Sequence, residues 1–268
     1  MSAAALNPTR VGAMVLRHVY ILRRSWPRLL ELMYWPTVQV LLWGFITKFM
    51  MTNSSWVAQA SGVLLAGVLL WDVLFRSQLG VTISFLEELW SRNLAHLFMS
   101  PLRPAEMCLS LMLMSVIRTL VGILPAALLA IPAYHYSIFD MGLPLLAFFT
   151  TLLAFGWALG IGITALLLRW GLAVENIAWL LVFAFAPLSG IYYPIATLPH
   201  WLQPFAWALP TAHVFEGMRA VLFDGVFRWD LMASAVALDI LYMGLAAFGF
   251  LLSFRSARRE GLLMRTGE

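Results

Sequence analysis

The chain has 268 residues, of which 62% are hydrophobic and 11% charged, against about 45–50% and about 25% in a soluble domain. So much apolar surface cannot be hidden in a soluble fold of this size, so the chain reads as a polytopic membrane protein in which six spans of about 20 residues would leave little for an extramembrane domain. The net charge of +4, from 16 Arg, one Lys and 13 acids, is read as a topology signal rather than a nucleic-acid-binding face.

The first 30 residues are no cleavable signal peptide, because Arg10, Arg17, Arg23, Arg24 and Arg28 interrupt them. They predict an amphipathic helix in the membrane surface, with Arg10, Arg17, Arg24 and Arg28 in one sector and Val11, Val15, Val19, Leu22, Trp26 and Leu29 in another. A simple charged anchor flanking the first span is the plainer alternative. Apolar stretches then predict spans at Met33–Met51, Val63–Phe85, Met107–Ile131, Leu143–Leu168, Leu172–Ile191 and Leu231–Phe254. With the N-terminus inside, 12 basic residues fall on the inner side and only Arg219 and Arg228 outside, the asymmetry expected of short loops. Both termini are therefore expected in the cytoplasm. The expected fold is all-α: one transmembrane domain over 1–268, with an interfacial helix at 1–31, a six-span core at 32–255 and a cytosolic tail at 256–268.

Two connections stand out. Between spans two and three, Leu86, Leu89, Trp90, Leu94 and Leu97 recur at helical spacing until Pro101 and Pro104. This predicts one short helix over Glu87–Phe98, exposed to the cytosol, whose plain reading is an interfacial connector. Between spans five and six, Pro187, Pro194, Pro199, Pro204 and Pro210 break a segment that stays rich in aromatic and aliphatic residues. Two short helices, Trp201–Ala208 and Thr211–Phe223, are expected there, with Thr211 capping and Glu216 complementing the dipole of the second. The segment either enters the outer leaflet against protein or forms an aromatic interfacial loop.

At these residues the chain resembles the ABC-2-type permeases, the membrane halves of ATP-binding-cassette exporters. The inner stretch Leu97-Phe98-Met99-Ser100-Pro101-Leu102-Arg103-Pro104-Ala105-Glu106 is similar to that family's turn into the third span. The outer stretches Ser189-Gly190-Ile191-Tyr192-Tyr193-Pro194, Leu198–Gln203 and Leu209–Arg219 resemble its re-entrant signature, here carrying Gly190, Pro194, Pro199, Trp201, Pro210, His213, Glu216 and Arg219. The wealth of Trp is the main departure. The resemblance implies a type V exporter fold in a plasma membrane, that of a bacterial inner membrane, and a dimer with a second copy or a similar permease. It also implies two cytosolic ATPase subunits holding ATP and Mg, with a coupling helix made of Glu87, Glu88, Trp90, Arg92, Asn93, Leu94 and Leu97. No cofactor is expected on this chain itself. Independently, the only lysine, Lys48, lies between Thr47 and Phe49 in a span, so the chain lacks a Gly-Lys-Ser/Thr nucleotide loop.

Asp72, Arg76, Arg118 and Asp239 fall inside spans, where each central charge costs about 2.5–3.5 kcal/mol on the insertion scale and calls for a partner. Asp72 and Arg76 stand four apart in the favourable order. The expectation is a structural staple joining spans two, three and six around Asp72–Arg76; the functional alternative is a polar lining that binds substrate through Arg76 or Arg118. Lys48 can snorkel. His135, His200 and His213 lack metal-site spacing, and the lone Cys108 excludes an intramolecular disulfide. An intramembrane enzyme is disfavoured because the required residue types are missing. An ion-coupled carrier would show broken helices in both halves, and only one half is broken. Lipid, drug and lipid-linked glycan remain open as substrates.

Overall fold

The computed structural model describes residues 6–53 and 55–261, with side chains at 50–61 and 95 set aside. The extreme ends of the expected interfacial helix and cytosolic tail, Arg265 among them, lie outside the described residues. The described chain is helical, with no strand. In order come α1 (Pro8–Arg24), α2 (Trp26–Asn53), α3 (Ser55–Trp90), α4 (Leu94–Met99), α5 (Pro104–Tyr134), α6 (Leu143–Trp170), α7 (Ile177–Phe185), α8 (Gln203–Trp207), α9 (Pro210–Asp224) and α10 (Trp229–Arg259).

Local sequence explains the boundaries. Asn7 caps α1 by accepting from the Thr9 amide, with Pro8 at the first helical position. Ser25, followed by Pro27, separates α1 from α2. Pro104 opens α5 and Pro210 opens α9, while α9 stops at Gly225, whose φ of +67° suits glycine.

Among the described residues, five helices are long and apolar enough to cross a membrane: α2, α3, α5, α6 continuing into the turn at Gly171–Val174, and α10. They contain five of the six expected spans. The sixth, Leu172–Ile191, is not a continuous helix. A 3-10 turn at Gly171–Val174 and a break at Glu175-Asn176 precede the nine residues of α7, and Ala186-Pro187 ends it. Nine residues rise about 14 Å, well short of a hydrocarbon core of about 30 Å.

Helix α3 is the axis of the bundle. Its most apolar window is 83% buried, against 17% for α2 and 22% for α10, so those two helices face outward. The α3–α6 contact depends on two glycines one turn apart. A Cβ on Gly156 would collide with the Ser77 side chain, and one on Gly160 would lie 2.7 Å from Val81 Cβ, so backbones approach as in small-residue membrane interfaces. Two apolar clusters fill the interior, one around Leu69, Leu74, Phe148, Phe155 and Phe215, the other around Phe85, Met107, Leu111, Ile163 and Phe250. The second lies toward the end where α1, α4, the start of α5 and the end of α10 gather, called here the α4 end; Phe98 and Phe254 meet there at 4.8 Å.

Candidate functional site

At the α4 end, three buried glutamates collect the N-terminal helix. Glu87 accepts from Arg28 of α2 at 2.7 Å and from Arg118 of α5 at 3.0 Å through both carboxylate oxygens. Glu88 meets Arg17 of α1 at 3.0 Å and accepts from Asn93 at 2.9 Å. His18, fully buried, sits between them, with Nδ1 3.5 Å from Glu87 and Nε2 3.7 Å from Glu88. Glu106 accepts from the amides of Asn7 and Arg103, and Arg10 donates to the Pro101 carbonyl at 2.7 Å. Val11, Met14, His18 and Leu22 form the buried stripe of α1. Arg10 and Arg17 thus engage acids of the protein itself.

This corrects the expected coupling segment. Glu87–Phe98 is not one exposed helix: Glu87 and Glu88 belong to the last turn of α3 and are buried, because α1, α2 and α5 bring cations onto them. The chain leaves α3 through Arg92 at φ 54°, with Arg92 N–H donating to Leu89 and Asn93 N–H to the Glu88 carbonyl, a left-handed C-terminal cap with arginine in the place glycine prefers. Helix α4 follows, with Leu94 buried in the second apolar cluster, Phe98 packed against that cluster, and Leu97 also buried. Trp90, Arg92, His96 and Met99 are left on the surface.

The four intramembrane charges do not assemble as a staple. Arg118 is turned to Glu87. Asp72 and Arg76 make no ion pair or hydrogen bond with a described residue, and Asp72 Oδ2 and Arg76 Nε are buried without partners. Asp239 Oδ1, on α10, is buried and equally without a partner. Arg118, mid-way along α5, reaches with its side chain to the last turn of α3.

At the opposite end, the Pro-rich segment folds back onto the bundle. Both expected short helices form, as α8 and α9, but Leu209 occupies the N-cap of α9 and Thr211 lies inside it, its hydroxyl 2.8 Å from that of Ser189. Glu216 accepts from the Ile195 amide at 2.7 Å and pairs with Arg219 at 3.0 Å, and Arg219 donates to the Gly190 carbonyl at 2.7 Å. Gly190 has φ +65°, and a Cβ there would lie 2.7 Å from Ile195 Cδ1, so turn and contact both require glycine. His213 donates through Nε2 to the Trp207 carbonyl at 2.9 Å. Pro210 is buried, whereas Pro194, Pro199 and Trp201 are exposed. These residues lock the turn after α7 to α9, which packs on α3, α6 and α10.

Sequence reasoning missed His18, Glu106, Gly156 and Gly160. The glycine pair was visible as Gly-x-x-x-Gly in an apolar run. His18 stood four residues after Met14 and four before Leu22, on the stripe that packs inward. Among the described residues no group of three or more His, Cys, Asp or Glu could hold a metal ion.

A model of the ABC-2 type transporter family matches residues 13–223, which covers α4, the glutamate cluster and nearly all of α9. No curated protein matches the chain.

Proposed function

The chain belongs to the ABC-2 type transporter family, and from that premise we propose that it is the permease subunit of an exporter driven by a separate ATPase. The family's membrane component carries no nucleotide-binding domain of its own and normally works with a cytosolic ATPase. In this reading the α4 end lies in the cytoplasm of a bacterial cell, the protein sits in the inner membrane, and two ATPase copies hold ATP and Mg. Two permease copies form the path for an outward-moving lipid, drug or lipid-linked glycan. The 12-to-2 distribution of basic residues supports the orientation. Apolar side chains exposed on α2 (Tyr34, Trp35, Leu42, Phe45) and α7 (Trp179, Leu180, Phe183) support a second copy on that side. The Pro-rich segment around α8 and α9 is read as dipping into the outer leaflet, its irregular backbone satisfied at Ile195 by Glu216 and at Gly190 by Arg219.

The observation that carries the reading is the way α4 is mounted. The exposed residues Trp90 at the end of α3, Arg92 in the turn, and His96 and Met99 of α4 offer a partner a surface, while Glu88–Asn93 and the Glu87–Arg118 pair tie that surface to α3 and α5. A push on α4 is passed to the spanning helices through charge-assisted bonds instead of a slack loop. Affinity purification in mild detergent followed by an ATPase assay tests it. An ATPase should co-purify with the wild-type chain and be lost with Trp90→Asp/Met99→Asp, the thermal midpoint of the permease being unchanged. A wild-type chain that brings down no ATPase overturns the proposal.

A further inference from the structure

Asp72 and Arg76 are 2% and 7% exposed, and neither has a partner among the described residues. They stand about 6 Å apart along α3, one helical turn, yet no hydrogen bond or ion contact joins them. The Arg76 guanidinium lies against α5 at Gly122, where a Cβ would fall 2.8 Å from Nε and 2.9 Å from Cζ. The Asp72 charge reaches Arg76 through space without an ion contact, and it also acts on Tyr192, in the turn after α7. Glu31 of α2, an exposed acid, is the other carboxylate whose field reaches Arg76, but from beyond ion-pair distance. Tyr192 stacks on Trp43 of α2, with ring centroids 4.4 Å apart and planes at 17°.

Buried charges persist where something offsets their desolvation. Here Arg118 is engaged with Glu87, and Asp72 and Arg76 feel each other's charge only through space, so that Asp72 Oδ2 and Arg76 Nε keep no hydrogen-bond partner among the described residues. A simple anion drawn to Arg76 would meet Asp72, and a simple cation drawn to Asp72 would meet Arg76. The occupant that suits both is dipolar. The aromatic pair lies on the acid side, where ring faces attract a cation, and the guanidinium on the other side matches phosphate geometry. We propose that Asp72 and Arg76 form a binding site for a zwitterionic ammonium–phosphate headgroup, the ammonium at Asp72 beside Trp43 and Tyr192, the phosphate at Arg76. This deepens the permease reading, on which it rests, by naming the class of amphiphile carried.

Equilibrium binding of radiolabelled lysophosphatidylethanolamine to the purified full chain in detergent tests it, with lysophosphatidylglycerol and free phosphoethanolamine as competitors. The zwitterionic lysolipid should bind at least tenfold more tightly than the anionic one. Asp72→Asn and Arg76→Gln should each abolish that preference. Gly122→Ala, which changes no charge and displaces only the guanidinium, should weaken binding at least tenfold at an unchanged thermal midpoint. Competition by free phosphoethanolamine as strong as by the lysolipid assigns the site to the headgroup alone and supports the same chemistry; weaker competition assigns it to the intact lipid. Equal affinity for the two lysolipids, or binding unaffected by Gly122→Ala, overturns the proposal. Because binding is read on the permease by itself, loss of the co-purifying ATPase with binding intact breaks the exporter reading alone.

Discussion

At one end of α3, Glu87 and Glu88 are buried among three arginines and a histidine; about three to four turns along the same helix, Asp72 and Arg76 are as deeply buried and make no hydrogen bond or ion contact with a described residue. The helix and the burial are shared, and the difference lies in what the neighbours bring. Three elements outside α3 send a cation to the glutamates, whereas α5 presents Gly122 to Arg76, whose side chain fills the space a Cβ would take and meets no acid there. Charge that is paired holds the bundle together; charge that is buried and unpaired is available for a ligand.

The largest effect expected is at the paired region. Glu87→Ala strands Arg118 in a buried position and should cost about 3–5 kcal/mol, read as a fall in thermal midpoint in detergent. Glu87→Ala/Arg118→Met should lose clearly less than the sum of the two single changes; strict additivity would break the claim that they act as a pair. Gly156→Leu serves as an uncharged control beside Arg76, where the new side chain meets Ser77 and the Leu74 carbonyl. Overpacking there should cost about 1–3 kcal/mol, visible as reduced monodisperse yield on gel filtration. At the turn into α4, Arg92→Gly removes a left-handed non-glycine residue and should raise the midpoint slightly, by about 1 kcal/mol or less. A fall instead would mean that the arginine head, and not the Glu88–Asn93 bond, holds the turn. Last, Asp72→Asn/Arg76→Gln should cost no stability, since neutralising unpaired buried charges is neutral or stabilising. A loss as large as that of Glu87→Ala would erase the distinction between the two regions.

Much of the fold was legible in the chain. Apolar runs located α2, α3, α5, α6 and α10, and prolines located α8 and α9. The run Leu172–Ile191 misled because hydrophobicity reports what a segment can lie in, not whether its backbone is continuous; Gly171, Glu175-Asn176 and Pro187 carried that information. The charges were harder to read for a different reason. Arg28 and Glu87 are 59 positions apart, and Arg118 and Glu87 are 31 apart, so helical periodicity within one segment cannot reveal that Glu87 faces inward. Periodicity correctly placed Asp72 and Arg76 one turn apart on α3, but left open whether they would grip each other. That depended on a single missing Cβ at Gly122.

The anchorage of α1 also sets a timetable for synthesis. The Asn7 amide, which meets Glu106, precedes it by 99 positions. At about 5–20 residues per second, the ribosome needs about 5–20 s to supply that partner. For most of that interval α1 has neither Glu87 nor Glu88 to receive its arginines, Glu106 comes last of the three, and lipid headgroups supply acids at the surface meanwhile. The helix therefore begins as a surface-bound amphipath and becomes a bundle element only once the end of α3, carrying Glu87 and Glu88, has returned across the membrane and the start of α5 has emerged.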